Sequence, residues 1–306
     1  MSNIVVVGSA NVDLVARASH IPRPGETVLG YGFVMAMGGK GANQAVGAAR
    51  LGADVTFITC VGQDSFGDQC LAAYQTERIQ TDFVVRDPKE ATGIALISVA
   101  EGGENSILVA SGANMHLLPT HIEAAASIFQ TANVLQLQLE VPLETNLAAA
   151  RLARQHGVKV ILNPAPARAL PAELLSLVDV ITPNRIEAAM LMGVDEEAVE
   201  KYTDEQIAKG VLALGPSEAV ITLGAQGALV AGSWGHTRVP AFKVTPIDTT
   251  AAGDAFNAGL AVALARGNTS LEQAARYAAA CGALATTKLG AQPSLPTAQA
   301  VDELIH

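Results

Sequence analysis

The sequence contains few aromatic and few charged residues. Of its 306 residues only 4% are aromatic and 16% are charged, whereas 50% are hydrophobic. This balance excludes a disordered chain and a coiled coil. Ala, Val, Leu and Ile must therefore supply most of the buried surface, and the length allows one large α/β domain or two smaller domains.

Basic residues are also scarce. The chain has 19 Lys and Arg residues against 29 Asp and Glu residues, which gives a formal net charge of −10 and a pI of about 5.0. Non-specific binding to nucleic acid and docking on anionic lipid both need a basic face, so we expect neither partner. An anionic substrate is still compatible with this charge, because a local pocket can oppose the field of the whole protein.

Paired cysteines and long apolar runs are missing. The three cysteines, Cys60, Cys70 and Cys281, form no CxxC motif, and their odd number indicates free thiols in a reducing compartment. The opening segment MSNIVVVGSANVD lacks the basic and apolar regions of a signal peptide, and no apolar stretch reaches about 18 residues. We therefore expect a soluble cytoplasmic protein.

Short β-branched runs alternate with Ala-rich and Leu-rich segments of helical spacing. The predicted strands are 3–8, 54–60, 134–139, 158–162, 180–182 and 219–223. The predicted helices are 39–51, 66–79, 143–156, 185–192, 204–214, 254–265 and 271–286. Continuous apolar strands between amphipathic helices are typical of a parallel sheet that is covered on both faces, so the pattern predicts a doubly wound α/β fold.

Two segments depart from this alternation. Residues 27–37 and 92–110 resemble β-hairpins, and the second contains the turn sequence EGGEN. They could be edge strands of the main sheet or a small β flap over one end of it. Because no Pro-rich, Gly-rich or Ser-rich linker separates them from the rest, we expect a single domain over residues 1–306.

Several common catalytic motifs are absent. The GGKG sequence at 38–41 is not a phosphate-binding P-loop, because position 34 is Val34 and the residue after Lys40 is Gly41. It is not a dinucleotide-binding GxGxxG either, because Gln44 occupies the last glycine position. HExxH, EF-hand and GxSxG motifs are missing, and the six His residues lack metal-ligand spacing.

The segment 248–260, DTTAAGDAFNAGL, carries the strongest chemical signal. Small residues at 251–253 lead directly into a helix that begins near Asp254, and backbone N–H groups at a helix start can bind an anion. A carboxylate beside such a site could act as the base in a phosphoryl transfer. Asp254 could equally be only a favourable residue in the first turn of a helix, and the residues leave both interpretations open.

Polar residues also follow several predicted strands. Asn11 and Asp13 come after the first strand, Glu140 follows strand 134–139, and Asn184 follows strand 180–182. The GGKGAN segment at 38–43 opens a helix nearby in the sequence. Each of these residues alone could be a solvated loop residue or a helix cap. Together they indicate a ligand site, because ligands in open α/β sheets bind beyond the carboxyl ends of the strands.

Two long motifs resemble those of the ribokinase-like carbohydrate kinases. The segment 38–67, GGKGANQAVGAARLGADVTFITCVGQDSFG, is similar to the first signature of that family, and DTTAAGDAFNAGL is similar to the second. The resemblance runs from GSANVD at residue 8 to GAQPS at 290–294. It implies a doubly wound α/β fold with a small β lid built from about 12–37 and 92–112, and a homodimer formed through that lid.

The resemblance also implies an activity. It implies transfer of the γ-phosphoryl group of ATP to the 5-hydroxyl of D-ribose, with Mg²⁺ and K⁺ as metal ions. A kinase for another pentose or a nucleoside, such as 2-deoxyribose, is the first alternative. A sugar sensor without catalytic activity is the second, and the presence of Asp254 argues against it.

Site residues follow from the resemblance by position. It implies Asp254 as general base, with the backbone N–H groups of Ala252, Gly253 and Asp254 as the anion site. It assigns the sugar to Asn11, Asp13, Gly39, Lys40, Asn43 and Glu140. It assigns Mg²⁺ and the phosphates to Asn184 and Glu187, and the nucleotide to Thr222, Gly224, Gly227 and Gly253. It assigns a monovalent cation to Asp248, Thr250, Ala285, Lys288, Gly290 and Ser294.

Several positions depart from the family pattern or vary within it. Many relatives carry a further acidic residue in place of Arg185 or Ala189, and Arg185 would affect Mg²⁺ binding. Ala279 stands where relatives often place His or Asn near adenine, which would leave an apolar contact to the base. Met35 and Met37 lie on the sugar side of the implied lid, where relatives vary.

Overall fold

The computed structural model describes residues 2–306, without the side chains of residues 196 and 197. It contains two β-sheets, of nine and four strands. The strands are β1 (Asn3–Val7), β2 (Asn11–Ala18), β3 (Gly32–Gly38), β4 (Asp54–Gly62), β5 (Val84–Asp87), β6 (Gly93–Ala100), β7 (Asn105–Ala110), β8 (Val134–Leu137), β9 (Lys159–Leu162), β10 (Val180–Ile181), β11 (Glu218–Thr222), β12 (Ala228–Gly232) and β13 (Gly235–Val239).

The helices include all seven that the sequence predicts. They are α1 (Lys40–Arg50), α2 (Ser65–Thr76), α3 (Pro119–Ala124), α4 (Leu143–Gln155), α5 (Ala172–Leu177), α6 (Arg185–Met192), α7 (Glu196–Val199), α8 (Asp204–Leu212), α9 (Ala252–Ala265), α10 (Leu271–Ala285) and α11 (Ala298–Ile305). The sequence pattern does not indicate strands β5 and β13. Both lie at the edges of the large sheet and carry polar residues, so neither has a continuous apolar run.

The large sheet confirms the doubly wound α/β fold. Its order is β13-β12-β11-β10-β9-β8-β1-β4-β5, and every pair is parallel except β11–β12 and β12–β13. Successive residues of β1 enter opposite cores: Ile4 and Val6 pack on one face, and Val5 and Val7 on the other. A strand that is buried on both faces needs apolar residues at every position, which explains its continuous apolar run.

Small residues allow the helices on one face to approach closely. A Cβ atom on Gly47 of α1 would lie 2.8 Å from Cβ of Ala258 in α9. A Cβ atom on Gly259 of α9 would lie 2.6 Å from Sγ of Cys281 in α10. The low aromatic content of the sequence therefore matches a core that is packed mainly through Ala, Gly and β-branched residues.

The second sheet has the order β3-β2-β6-β7 and is separate from the large sheet. Strands β3, β6 and β7 of the hairpin-like segments lie in this separate sheet and not at the edges of the main sheet, so the topology supports the small β flap of the two alternatives. We call this four-stranded sheet the lid. The expectation of a hairpin within 27–37 is wrong: only Gly32–Gly38 is a strand, and it pairs with β2. Asn11 and Asp13 do follow β1, but they lie within β2 of this lid sheet and not in a loop.

The three cysteines are free and buried. Burial raises the pKa of Cys60 to about 12 and that of Cys70 to about 11, so these thiols are poor nucleophiles at neutral pH. Between residues 2 and 306, the helices are all too short or too polar to cross a bilayer.

Candidate active site

Polar residues from several strands meet at the carboxyl edge of the large sheet, where α1 and α9 also begin. This edge is the place at which open α/β sheets bind ligands. A cleft there is lined by Lys40, Asn163, Ala165, Thr182, Asn184, Glu187, Thr222, Thr249, Ala251, Gly253, Asp254 and Asn257. The topology therefore brings together Lys40, Asn184, Glu187, Thr222, Gly253 and Asp254, which are far apart in the sequence.

The start of α1 is held by a carboxylate from another strand. Gly39 occupies the N-cap position with a φ of 88° and offers no capping side chain. Glu140, which follows β8, caps the helix instead, because its Oε2 accepts from the backbone N–H of Lys40 at 3.0 Å. The same oxygen accepts from Ser9 Oγ at 2.5 Å. Glu140 is thereby fixed beside the cleft, and its second oxygen remains available to a ligand.

Glycine permits this close approach of α1 to the end of β1. A Cβ atom on Gly41 would lie 2.5 Å from the backbone N of Ser9 and 2.7 Å from Cα of Gly8. Real Cβ atoms do not come this close to backbone atoms, so a larger residue would push the helix away. The GGKG sequence is thus explained by close backbone contact.

The Asp254 carboxylate is buried and held by two amides. Asn43 Nδ2 donates to its Oδ2 at 2.9 Å, and Gln44 Nε2 donates to its Oδ1 at 3.0 Å. Only 6% of Asp254 is exposed. Burial raises the pKa of this carboxyl, whereas the nearby Lys40 ammonium and the two amides lower it, and the net shift is upward. A buried carboxylate with a raised pKa is a stronger base than one in water.

Gln44 is itself fixed by neighbouring side chains. Gln138 Nε2 donates to Gln44 Oε1 at 2.5 Å, so the amide of Gln44 must present its NH₂ group to Asp254. The same NH₂ group also donates to Asn163 Oδ1 at 3.2 Å. A Cβ atom on Gly8 would lie 2.0 Å from Gln138 Oε1, so glycine leaves room for this arrangement. The orientation of Gln44 toward Asp254 is therefore built into the core.

The start of α9 offers backbone donors to an anion. Ala251 adopts a left-handed φ of 58°, which turns the chain into the helix. The N–H group of Ala252 donates to the Thr249 carbonyl at 3.2 Å. Among the residues that the structure describes, the N–H groups of Gly253 and Asp254 have no such partner, so two of the three expected donors are free. A Cβ atom on Gly253 would meet nothing within 4 Å, so the space in front of these donors is open.

Carboxylates surround the Lys40 ammonium. Burial alone would lower the pKa of Lys40, but Asp254, Glu140 and Glu187 raise it above its ordinary value. Burial, together with Glu140 and Asp254, raises the pKa of Asp13 to about 6. Lys40 is therefore a stable cation in the cleft, and it offsets part of the negative charge around it.

Asn184 and Glu187 form a capping box at the start of α6. Asn184 Oδ1 accepts from the Glu187 N–H at 2.8 Å, and Glu187 Oε2 accepts from the Asn184 N–H at 2.9 Å. Burial is the main cause of the raised pKa of Glu187. One oxygen of this carboxylate is used by the cap, so the other can face the cleft.

Four further residues that the resemblance places near the nucleotide or Mg²⁺ lie in different parts of the structure. Gly224 and Gly227 form the turn after β11, and Gly227 is required there because a Cβ atom would lie 2.0 Å from the Val239 carbonyl oxygen. Arg185 points away from the cleft: it pairs with Asp204 and donates to the carbonyls of residues 199 and 202. Ala279 is buried within α10.

The segment before α9 is linked to the loop after α10. Asp248 Oδ1 accepts from the N–H and the hydroxyl of Thr250, and Asp248 Oδ2 accepts from the Gly290 N–H at 2.8 Å. Burial raises the pKa of Asp248, but these hydrogen bonds together outweigh it, so the net shift of the pKa is downward. Ser294 is buried and donates to the Ala291 carbonyl. The N–H groups of Ile247 and Asp248 donate to the Thr286 carbonyl, at 2.7 and 3.1 Å, so this segment is joined to the end of α10, next to Ala285 and Lys288.

Several site residues have no counterpart among the residues assigned from sequence. Ser9, Gln44, Asn163 and Asn257 are buried polar side chains that support the cleft. Thr182 Oγ1 donates to Asn257 Oδ1 at 2.6 Å, and Asn257 Nδ2 donates to the Gly253 carbonyl at 2.8 Å. The sequence could have indicated these residues, because each is a polar residue at an otherwise apolar position of a strand end or of a buried helix. Asn257, within the apolar helix α9, is an example.

A buried carboxylate of raised pKa next to free N–H donors and a lysine, on a doubly wound fold, is what a phosphotransferase that acts on a hydroxyl group requires. Residues 1–298 match the family profile described as pfkB family carbohydrate kinase, and the chain belongs to that family.

Named relatives agree with this assignment. The ribokinase of Haemophilus influenzae is 44% identical to this chain over 306 residues, which cover 99% of this chain and 98% of the relative. A deoxyribokinase of Salmonella typhimurium is 35% identical to this chain, and the match covers 99% of this chain and 98% of that relative. The structure of Arabidopsis thaliana ribokinase complexed with ribose and ATP has a TM-score of 0.91 and 32% identity, and the match covers 99% of this chain and 98% of that one.

The open space at Gly253 yields the first prediction. Gly253→Ala should leave the free energy of unfolding unchanged or raise it by up to about 1 kcal/mol, because a new Cβ meets nothing and Ala favours a helix. Because Gly253 lines the cleft, the same methyl group would occupy open space beside the free N–H groups, where we expect the transferred phosphoryl group, so phosphotransferase kcat should fall by about 10²-fold. Thermal denaturation and a coupled ADP-release assay measure the two effects.

Gly102 provides the matched control for this variant. A Cβ atom there also meets nothing, and its position in the turn between β6 and β7 is far along the chain from α9. Gly102→Ala should change neither stability nor turnover. Full activity in Gly253→Ala would contradict the assignment of the anion site.

Proposed function

We propose that this chain catalyses ATP-dependent phosphorylation of the 5-hydroxyl of D-ribose to ribose 5-phosphate. The observation that carries this proposal is that the Asp254 carboxylate is buried beside two free backbone N–H groups, those of Gly253 and of Asp254 itself. Relatives named ribokinase, including the one crystallised with ribose and ATP, supply the substrate pair.

The geometry supports a direct transfer. Asp254 accepts the proton of the sugar hydroxyl as the hydroxyl oxygen attacks the γ-phosphorus of ATP. The new O–P bond forms as the bond from the γ-phosphorus to the bridging oxygen of ADP breaks, and the proton leaves Asp254 in a later exchange with solvent. The N–H groups of Gly253 and Asp254, with Lys40, stabilise the charge on the transferred group.

The sugar would lie between the lid and the start of α1. Asp13 and Glu140 offer carboxylate acceptors, and Lys40 and Asn11 offer donors, so one ring with several hydroxyl groups can satisfy all of them. Asn43 is hydrogen-bonded to Asp254, so it also orients the base. Gly39 admits the sugar because its backbone carries no side chain and directly precedes α1.

The residues around α6 fit Mg²⁺ bound together with ATP. Mg²⁺ prefers carboxylate oxygens, water and phosphate oxygens, and Glu187 keeps one carboxylate oxygen free of the capping box. When bound, the ion would neutralise charge on the phosphate oxygens. Thr222 and the turn with Gly224 and Gly227 would hold the rest of the nucleotide.

The segment around Asp248 fits a K⁺ ion. The Asp248 carboxylate is a hard oxygen ligand, and it joins residues 250 and 290, which are two of the positions that the resemblance assigns to the ion. The carbonyl groups of Ala285 and Lys288 would complete the site. Such a site would fix the loop that leads into α9 and thus the anion site.

Cation replacement tests this assignment. Substituting tetramethylammonium for K⁺ should lower kcat at least several-fold, because the large ion cannot enter a cage of carbonyl groups. Choline chloride at equal ionic strength should lower kcat in the same way, which separates exclusion of a large ion from a specific effect of tetramethylammonium. Equal rates in potassium and in both organic salts would exclude the site.

A kinase for 2-deoxyribose is the second candidate, since a deoxyribokinase is 35% identical over 99% of this chain. The two sugars differ by one hydroxyl group. A site built to hydrogen-bond a hydroxyl discriminates strongly against a substrate that lacks it. Competition between the two sugars therefore separates the candidates.

Turnover of the wild-type chain and of Asp254→Asn tests the central activity. With ATP, Mg²⁺ and K⁺, ribose should give the highest kcat/KM in a panel of ribose, 2-deoxyribose, fructose and nucleosides. Asp254→Asn keeps the shape of the side chain but removes the base, so kcat should fall by about 10²–10⁴-fold while ribose still binds. Near-normal turnover in Asp254→Asn would contradict its role as base.

We also propose that the chain is a single domain that dimerises through its lid. The edge strands β3 and β7 contain no charged residue, although edge strands are usually protected by charge. Their exposed apolar side chains include Phe33, Val34, Ile107 and Leu108. A second copy of the same lid would cover this apolar surface, which a monomer rarely exposes.

Charge placed on the lid tests the dimer. The double variant Ile107→Lys/Leu108→Lys puts a lysine on each face of β7, because neighbouring strand residues point to opposite faces. Light scattering after size exclusion should give a dimer for the wild type and a monomer for the variant. Trp234→Lys, which changes an exposed apolar residue outside the lid, should remain a dimer. A monomeric wild type would exclude the proposal.

A further inference from the structure

One face of strand β2 is turned toward the candidate active site. Asn11 and Asp13 lie on this face, because residues two apart in a strand point the same way. The Asp13 carboxylate lies against Gly38, where a Cβ atom would come within 2.3 Å of its Oδ2. A Cβ atom on Gly39, the N-cap residue of α1, would lie 2.8 Å from the backbone N of Asn11, so this part of β2 lies at the start of α1. The charges of Glu140 and Asp254 contribute to the raised pKa of Asp13, which agrees with this position.

The side-chain amide of Asn11 is oriented by Asn114, which lies in the 3-10 helix Gly112–His116. Asn114 Nδ2 donates to Asn11 Oδ1 at 2.7 Å. Both residues are buried, with 3% of Asn11 and 1% of Asn114 exposed. Because the oxygen of Asn11 is engaged, its NH₂ group is the part that remains for a ligand, and within residues 2–306 that group has no hydrogen-bond partner.

The orientation of Asn114 is fixed in turn by the backbone. The N–H group of Ala10 donates to Asn114 Oδ1 at 2.8 Å, and Asn114 Nδ2 donates back to the Ala10 carbonyl at 3.2 Å. A backbone N–H cannot accept a hydrogen bond, so the amide of Asn114 cannot be reversed without loss of both bonds. The backbone of Ala10 thus determines which end of the Asn11 amide faces the site.

The structure also makes room for this pair. A Cβ atom on Gly93 would lie 2.2 Å from Asn11 Oδ1 and 2.3 Å from Asn114 Nδ2. Gly93 opens β6, which pairs with β2 directly beside Asn11. Any larger residue at this position would separate the two amides.

We propose that Asn114 is a specificity-determining positioning residue that acts through Asn11. It holds Asn11 so that an amide donor faces the sugar, directly beside the Asp13 acceptor. A donor and an acceptor side by side match a hydroxyl group, or two neighbouring hydroxyl groups, of a sugar ring. This inference rests on the proposed function, because it concerns how the sugar is distinguished from its deoxy analogues.

Asn114→Asp tests the proposal with little change in shape. One oxygen of the new carboxylate still accepts from Ala10, but the other cannot donate, so Asn11 turns its NH₂ group toward that carboxylate and its oxygen toward the sugar. The KM for ribose should rise at least about tenfold, with kcat within a few-fold. The kcat/KM preference for ribose over 2-deoxyribose, over 3-deoxyribose or over both should fall at least about tenfold.

A double-mutant cycle separates positioning from a general effect on the fold. In an Asn11→Ala background, Asn114→Asp should cause no further loss of sugar discrimination, because the Asn11 amide through which Asn114 acts has been removed. Asn114→Ala removes the clamp without a new charge and should give the same loss, which keeps the test valid if Asn114→Asp does not fold. Asn133→Asp, at an exposed asparagine that accepts from the backbone of Asn3, is the matched control.

The outcomes are distinct. A wild type that phosphorylates ribose, with folded Asn114 variants that retain its sugar preference, would overturn the inference and leave the proposed function intact. A loss of preference that persists in the Asn11→Ala background would also overturn it. A folded wild type without ribose turnover would overturn the proposed function itself, and this inference with it.

Discussion

The burial of the Asp254 carboxylate is the constraint on which the rest of the site depends. Removing a carboxylate from water is costly unless hydrogen bonds and opposite charge replace the lost solvation. Asn43, Gln44 and Lys40 supply that replacement. The carboxylate nevertheless keeps a raised pKa, so the fold holds a carboxylate of more than ordinary basicity in the cleft, where we propose that it removes the proton of the sugar hydroxyl.

That arrangement requires several backbones to approach one another closely. α1 can bring Lys40, Asn43 and Gln44 to the start of α9 only because Gly41 lies against the backbone of residues 8 and 9 and Gly47 lies against Ala258. Glu140 then caps α1 from a different strand. The polar site therefore depends on the small residues of the sequence, because they let the backbones come close enough for fixed amides to orient the charged groups.

Much of the fold follows from the sequence because burial on both sheet faces leaves a clear apolar pattern. The predicted helix Arg185–Met192 coincides with α6, and strand β1 ends within one residue of its prediction. The residues alone do not show where the lid lies, because β2, the strand with which β3 and β6 pair, is not recognisable as a strand. It carries Asp13 and Arg17 and so lacks a continuous apolar run. The roles of Gln44 and Asn114 are also hidden in the sequence, since a buried amide is recognised by the partners that tertiary packing brings to it and not by spacing.

The central claim is that the Asp254 carboxylate acts as base on the sugar hydroxyl while the N–H groups at the start of α9 hold the phosphoryl group that is transferred to it. A crystal structure with ribose and a non-hydrolysable ATP analogue tests it most directly. The account predicts the 5-hydroxyl oxygen within hydrogen-bond distance of the Asp254 carboxylate, and the γ-phosphate against the N–H groups of Gly253 and Asp254. A complex in which a different carboxylate contacts that hydroxyl, or in which the γ-phosphate lies away from α9, would contradict it.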